Sequence, residues 1–169
     1  MISIIIGYAQ QPQFGPVLNR LIESSLVKKI FVLHGGDYAN AHPKCEGVLS
    51  DSLASGKALD RIIAKAKTRY LLFVMKQNVE LGQSALERMV SAAEQTGAGM
   101  IYSDHYEVRN GVRSEHPVND YQLGSIRDDF DFGPLLLFSA TAVKKALKRY
   151  GKLAGAEMQG FMIFGSRRR

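Results

Sequence analysis

A continuous apolar run at residues 70–75 constrains the fold of this 169-residue chain more than any other feature. The run is rich in aromatic and branched residues and is too short for a free-standing helix, so it predicts a strand buried on both faces. Such strands occur in parallel sheets covered by helices. The run ends abruptly in Lys76-Gln77-Asn78. Because ligands of open α/β sheets bind beyond the carboxyl ends of strands, this turn is a candidate ligand site; the alternative is a plain polar turn.

The rest of the chain alternates between strand-like and helix-like patterns. Helical spacing of apolar residues begins near Gly15, Ser55, Ser84 and Thr141, and Asn110-Gly111 favours a β-hairpin through a type I′ turn. The fold class expected is a three-layer α/β/α domain with a mainly parallel sheet, helices on both faces and a β-hairpin. The remaining predicted strands span residues 2–6, 29–33, 99–103 and 132–138, with Pro134 indicating an edge or a strand start, while residues 37–55 are expected to be irregular.

Composition narrows the class of partner. The net charge is +6, but three of the positive charges lie at residues 167–169, which favours an anionic small ligand over nucleic acid. Cys45 is the only cysteine, so an internal disulfide and a multi-cysteine zinc site are excluded, and a reducing compartment fits. The first residues do not resemble a signal peptide, and no segment approaches the ~20 apolar residues of a membrane span. We therefore expect a soluble, cytoplasmic protein.

Polar residues and glycines follow several of the predicted strands, which predicts a ligand cleft along one edge of the sheet. The sequence has no G-x-G-x-x-G, Walker or G-x-S-x-G motif, so a dinucleotide fold, a P-loop and a serine hydrolase have no motif support. The segments concerned are Gly7-Tyr8, His34-Gly35-Gly36-Asp37, residues 75–78, Asp104-His105 and residues 129–131.

Two acidic segments at this edge each admit two interpretations. Asp104-His105 suits metal binding or proton transfer, or else is a solvated turn whose carboxylate bonds the backbone. Residues 128–131 place three carboxylates within four positions. They suit a divalent ion, or one of them is a general base with a raised pKa; alternatively, they bond the backbone of the turn before the next strand.

The order of these elements matches a known family pattern. Residues 3–8, Ser-Ile-Ile-Ile-Gly-Tyr, are similar to an opening Ser-Ile-Ile-Ile-Pro-x-Tyr strand, and residues 56–61 to a Gly-x-Ala-x-Asn helix. Residues 70–74 are similar to a Tyr-Ile-Leu-Phe-Leu strand that leads into a metal-binding D-x-D. Through about residues 2–150, by several weak matches, the chain resembles the nucleotide-sugar-binding half of family 2 glycosyltransferases, which have the GT-A fold.

The resemblance implies a domain at residues 1–150 that transfers a hexosyl or similar group from a nucleotide-diphospho-sugar to a glycan or lipid acceptor, followed by an irregular basic tail at 151–169. The alternative is a non-catalytic binding or scaffold domain of the same fold. The resemblance also implies Asp129 or Asp131 as catalytic residues near the acceptor. The nucleotide-sugar site that it implies comprises Gly7, Tyr8, His34, Gly35, Asp60, Lys76, Gln77, Asn78 and Asp104.

The chain departs from the family at its metal site. The D-x-D position carries Met75-Lys76-Gln77-Asn78, which has no carboxylate for the family's Mg²⁺ or Mn²⁺, so no metal ligand is expected there. Lys76 is expected to offset the diphosphate charge in place of the ion. The uracil-contacting acid of the second strand is replaced by His34 or Gly35. A nucleotidyltransferase would need a Gly-rich first loop with Lys or Arg, which residues 7–11 lack.

The tail also departs from the family. The family's catalytic acid after the acceptor strand has no clear counterpart here. Codons for Tyr-Ala-Gly-Phe-Tyr-Asp-Leu-Arg-Leu can be chosen that, read one base out of register, give the string found at residues 158–166. The tail therefore predicts a truncated or frameshifted gene with an incomplete catalytic half, which sequencing of the source gene would test.

Overall fold

The computed structural model describes residues 1–40, 42–50, 52, 55–76, 78–118, 130–151 and 153. Gln77, Asp129 and residues 154–169 lie outside the described residues, so the roles expected of them stay predictions.

A six-stranded sheet forms the centre of the described chain. Four neighbouring strands are parallel. A fifth strand, which comes late in the sequence, lies beside these four and runs antiparallel to them, and a short strand at the edge of the sheet pairs with it. In chain order the strands are β1 (Ile2–Gly7), β2 (Val27–His34), β3 (Cys45–Leu49), β4 (Tyr70–Val74), β5 (Met100–Ile101), β6 (His105–Arg109), β7 (Val112–His116) and β8 (Leu135–Ser139). The sheet order is β3-β2-β1-β4-β8-β5, and β6 pairs with β7 in a separate hairpin.

Helices cover both faces of the sheet, and this confirms the expected three-layer α/β/α class. The helices are α1 (Phe14–Glu23), α2 (Gly56–Lys65), α3 (Ala85–Thr96) and α4 (Ala140–Tyr150). Side chains of α1 and α3 pack with Leu72 on one face, and side chains of α2 and α4 pack with Phe73 on the other. Successive residues of a strand point to opposite faces, so β4 needs apolar side chains at every position. None of the described helices is both long and apolar enough to cross a bilayer.

Two strand expectations are wrong in part. Residues 37–55 contain β3, an edge strand in which Cys45 is the only buried residue, so it lacks the apolar run that marked the inner strands. The edge position suggested by Pro134 is also wrong, because β8 lies between β4 and β5. Pro134 instead precedes the strand, and its carbonyl oxygen accepts a hydrogen bond from the Met75 N–H at 2.8 Å.

The ends of two helices and the turn of the hairpin show which local sequence patterns form the expected contacts. The Ser55 hydroxyl caps α2 by accepting from the Ala58 N–H, whereas Ser84 precedes α3 without a side-chain cap. Asn110 and Gly111 have φ angles of 52° and 78°, as a type I′ turn requires, so the predicted hairpin is confirmed.

The Leu72→Ala substitution should lower the free energy of unfolding by about 2–5 kcal/mol, because it leaves a cavity at a fully buried position of the central strand. Urea denaturation gives this value. Leu49→Ala, the same change at a side chain that is 67% exposed, is the control and should cost less than about 0.5 kcal/mol. Equal losses in both variants would contradict the burial of β4.

Glu46 should stabilise the fold only above acidic pH. A hydrogen bond from Lys65 at 2.7 Å, helped by Lys29, lowers the pKa of Glu46 below its ordinary value of 4.5 despite partial burial. A lowered folded-state pKa stabilises above the unfolded-state pKa, and the contribution disappears as the pH falls through the folded-state value. Glu46→Gln should therefore cost about 0.5–1 kcal/mol at pH 7 in urea denaturation, and the cost should shrink steadily as the pH falls below 4.5. The exposed Glu80→Gln is the control, and a cost that persists in acid would contradict the ion pairs.

Candidate functional site

The order of the strands reverses between β1 and β4. From β1 the chain adds β2 and then β3 on one side, and then returns to place β4 on the other side of β1. In open α/β sheets, ligands bind beyond the carboxyl ends of the strands at such a switch point. Tyr8 follows β1 at this point, and Lys76 follows β4 after one intervening residue. The switch point therefore lies between an aromatic side chain and a cation.

Three half-buried rings lie together on the β1–β2 side, and we call Tyr8, His34 and Tyr38 the aromatic cluster. The ring centroids of Tyr8 and Tyr38 are 5.3 Å apart, and those of His34 and Tyr38 are 5.6 Å apart. Phe14 of α1 meets the edge of Tyr8 at 5.2 Å in a T-shaped contact. Rings with part of their surface open at a strand end are suited to stacking on a planar ligand group.

Short contacts between loops hold the aromatic cluster in place. His34 Nδ1 accepts a hydrogen bond from the Gly36 N–H at 3.1 Å, and Gly36 adopts a φ of 131° that favours glycine. The Gln10 side-chain amide donates to Asp37 Oδ2 at 2.8 Å and so joins the loop after β1 to the loop after β2. These contacts fix the orientation of His34 relative to β1.

The Tyr38 hydroxyl and the Cys45 thiol lie together beneath the cluster and stay uncharged at neutral pH. Burial raises the pKa of Tyr38 to about 12, and the neighbouring Cys45 adds to the rise. Burial also raises the pKa of the Cys45 thiol. These two groups therefore add no negative charge beneath the rings.

Lys76 connects three segments on the other side of the switch point. Its Nζ lies 3.5 Å from Asp131 Oδ2, in the segment before β8, and 3.9 Å from Glu107 Oε1 in the hairpin. Asp131 Oδ1 also accepts from the Gly133 N–H at 2.8 Å. Partial burial acts to raise the pKa of Asp131, but the Gly133 N–H and Lys76 outweigh it and leave the pKa below its usual range. This is opposite to the rise expected of a general base.

The other expected site residues take different positions. Asp104 is exposed, and its Oδ1 accepts from the Val118 N–H at 2.7 Å, which is the backbone-bonding interpretation of that carboxylate. Asp60 lies on α2, across the sheet from the aromatic cluster, and accepts from the Leu153 N–H at 3.1 Å. Gly7 ends β1, while Gly35 and Asn78 are exposed in the loops beyond β2 and β4.

The family's divalent ion does not fit the turn after β4. The described residues of this turn are Met75, Lys76 and Asn78, which supply no carboxylate, and a lysine ammonium is not a metal ligand.

The sequence did not predict two groups of polar or aromatic residues that lie at this edge. Tyr38 lies within a segment that was expected to be irregular. The hairpin brings together His105, Glu107 and His116. Of these three residues, the sequence indicates only His105 as a candidate for metal binding or proton transfer. The pKa of His105 is lowered, chiefly by burial and then by His116 and Lys76, against the opposing effects of Asp131 and Glu107.

Comparisons with known proteins identify the fold. No protein-family model matches the chain, and neither does any curated protein. Among solved structures, S. aureus TarS 1–349 has a TM-score of 0.65 at 15% identity, covering 98% of this chain and 55% of that one. The mannosyltransferase PcManGT from Pyrobaculum calidifontis, in complex with GDP-Man and Mn²⁺, has a TM-score of 0.54 at 12% identity, covering 89% and 46%.

A cytidylyltransferase has the same architecture. Francisella tularensis IspD, a 2-C-methyl-D-erythritol 4-phosphate cytidylyltransferase, has a TM-score of 0.53 at 12% identity, covering 88% of this chain and 76% of that one. The fold is therefore the GT-A-like fold of nucleotide-diphospho-sugar transferases and nucleotidyltransferases. The chain spans about half the length of the TarS and PcManGT structures.

The Gly47→Ala substitution should displace His34 from the aromatic cluster. A Cβ on Gly47 would lie 2.8 Å from His34 Nε2 and 3.3 Å from Tyr38 Cδ1, so both rings must move. The imidazole NMR signals of His34 and the near-ultraviolet circular dichroism of the tyrosines should change, with a stability loss of about 1–3 kcal/mol. Gly15→Ala, where a Cβ meets nothing within 4 Å, is the matched control. Unchanged His34 signals in Gly47→Ala would contradict the close packing.

Proposed function

We propose that this chain is a glycosyltransferase-like domain that binds a nucleotide-diphospho-sugar at the switch point between β1 and β4. One observation carries the proposal: the aromatic cluster lies on one side of that point and Lys76 on the other. A nucleotide-diphospho-sugar has an aromatic base at one end and an anionic diphosphate near its centre. The fold, which is shared with nucleotide-using transferases, supports the proposal at the level of class.

The nucleobase would stack on the aromatic cluster. Stacking of a base on an aromatic side chain contributes about 1–3 kcal/mol and tolerates different bases. The cluster is half-buried, which limits competition from water, and its rings are already held by contacts with Phe14 and Gly36. Gly35, exposed beside His34, leaves room for a ligand to approach the backbone.

The diphosphate would bind Lys76. The carboxylates that now contact Lys76 are weak partners, because the side chains of Lys76 and Asp131 are 41% and 55% exposed and the ion pairs are long. A diphosphate carries more negative charge than either carboxylate and would displace them from the ammonium group. Lys76 would then neutralise the charge that develops on the leaving nucleotide diphosphate. Gln77 and Asn78 remain proposed neighbours of the diphosphate.

Transfer would proceed by attack of an acceptor hydroxyl on the anomeric carbon. The new C–O bond forms as the bond to the diphosphate breaks, the nucleotide diphosphate leaves with the bonding electrons, and the hydroxyl proton passes to water. Asp131, and Asp129 next to it in the chain, are the proposed acceptor-side residues, and Asp104 and Asp60 are retained as proposed donor-site residues. Asp131 would accept a hydrogen bond from the acceptor hydroxyl and so orient it, but it is a weak base because its pKa is held low. We propose a glycan or lipid as the acceptor and the cytoplasm as the compartment.

A second candidate function is binding without turnover. The observation that favours it is the turn after β4, whose described residues offer a cation where a metal-dependent transferase has carboxylates. Release of free nucleotide from a bound donor in the presence of candidate acceptors would distinguish the two functions.

Calorimetric titration with UDP, GDP and their sugars, in a chelator and in Mn²⁺, tests the proposal. We expect binding of one of these nucleotides in the chelator. Lys76→Ala should weaken it about 10- to 100-fold, because a charge-assisted contact is worth about 1.5–3 kcal/mol. Lys144→Ala, at an exposed lysine of α4, is the matched control and should bind like the wild type.

The other outcomes each contradict a part of the proposal. Absence of binding for every nucleotide would exclude the donor site. Binding only in Mn²⁺ would indicate that a metal ion, and not Lys76, binds the diphosphate. Equal affinities of Lys76→Ala and the wild type would remove Lys76 from the site.

A further inference from the structure

The β6–β7 hairpin places three metal-ligating side chains on one face. The two-residue turn at Asn110-Gly111 fixes the register, so His105 lies directly opposite His116. Glu107 is two residues further along β6 and therefore projects to the same face as His105. The centroids of the two imidazoles are 4.6 Å apart with 36° between the ring planes. One ligand atom from each of the three side chains lies within 4.8 Å of the others.

His105 has unmet hydrogen-bonding capacity at this place. Both of its ring nitrogens are shielded from solvent, and neither has a hydrogen-bond partner among the described residues. A neutral imidazole has one donor and one acceptor nitrogen, so this leaves a lone pair buried without a partner. Gly133 packs against Nδ1, where an added Cβ would lie only 3.2 Å away. A cation bound between the side chains would give the lone pair a partner.

We propose that His105, Glu107 and His116 bind a first-row divalent metal ion, with Zn²⁺ the best match. Two imidazoles and one carboxylate suit Zn²⁺ and related transition metals, whereas Mg²⁺ prefers oxygen ligands. Three protein ligands leave a fourth position for water or a substrate atom. A tetrahedral site needs ligand atoms about 3.4 Å apart, so the side chains must close inward from the 4.8 Å limit by rotamer adjustment.

Two cations compete with the metal for Glu107. Lys76 Nζ lies 3.9 Å from Oε1 and Arg109 donates to Oε2 at 2.9 Å, but the Arg109 side chain is 82% exposed. Such exposed pairs exchange readily with solvent and yield to a coordinated ion. Lys76 would keep Asp131, at 3.5 Å, as its carboxylate partner. The metal site lies on the hairpin and does not rest on the proposed nucleotide-sugar function.

The test is metal binding by the full-length chain, free of any affinity tag and stripped with a chelator beforehand. Zn²⁺ is titrated by calorimetry, and Co²⁺, a spectroscopic substitute for Zn²⁺, by visible absorption. We expect one Zn²⁺ per chain, Co²⁺ bands of a low-coordinate site with nitrogen ligands, and much weaker binding of Mg²⁺. His116→Gln and Glu107→Gln should each weaken Zn²⁺ binding at least about tenfold.

Glu115→Gln is the matched control, because it makes the same chemical change on the same hairpin. Glu115 pairs with Tyr106 on the opposite face from Glu107, so the variant should bind Zn²⁺ like the wild type. Backbone amide NMR spectra of the variants show whether the hairpin is retained. If His116→Gln loses the hairpin, Glu107→Gln and the Co²⁺ spectrum decide the question.

Three results would overturn the inference. One is the absence of stoichiometric Zn²⁺ binding by the wild-type chain. Another is an equal loss in Glu115→Gln and Glu107→Gln, which would indicate non-specific binding by exposed acids. The third is wild-type affinity in Glu107→Gln or in a folded His116→Gln. No nucleotide is present in these samples, so failure here is independent of failure of the donor site.

Discussion

Burial of β4 on both faces is the constraint on which the rest of this structure depends. Each of its five residues is at most 3% exposed, so apolar helices must cover the sheet above and below. The strand also pairs parallel with β1 and antiparallel with β8, which brings three distant parts of the chain together. Where β4 ends, its apolar pattern ends too, and Lys76 enters the switch point. The same strand thus organises the core and positions the cation of the candidate site.

The fold was largely predictable because buried parallel strands carry their signal in every residue. β4 is apolar at every position, β1 and β2 contain the apolar runs 4–6 and 30–33, and the helices between these strands have strong apolar faces. β3 could not be predicted in the same way, because an edge strand half-open to solvent accepts Glu46 and Gly47 without penalty. The internal position of β8 depends on long-range pairing with β4, and no local pattern encodes that pairing.

The edge of the sheet that carries the candidate site was predictable, but the set of side chains that meet there was less so. Strand ends marked the edge that holds Tyr8, His34 and Lys76. A free exposed carboxylate and one that bonds the backbone have the same sequence pattern, so the hydrogen bond from the Val118 N–H to Asp104 was only one of two alternatives. Tyr38 lies four residues beyond β2, where no periodicity places a side chain. The register of the hairpin, in contrast, can be derived from the sequence, because a two-residue turn at Asn110-Gly111 determines which residues lie opposite each other.

The position of β8 late in the sequence affects how this chain folds during its synthesis. Tyr70 of β4 pairs with Ser139 of β8. One edge of β4 therefore stays unpaired during synthesis until the residues of β8 have left the ribosome. Unpaired apolar strand edges are sites of self-association. β5 is only two residues long and pairs with β8, so it gives β4 no earlier cover. An interval therefore exists during synthesis in which a chaperone, or a second nascent chain, can bind the open edge of β4 before β8 pairs with it.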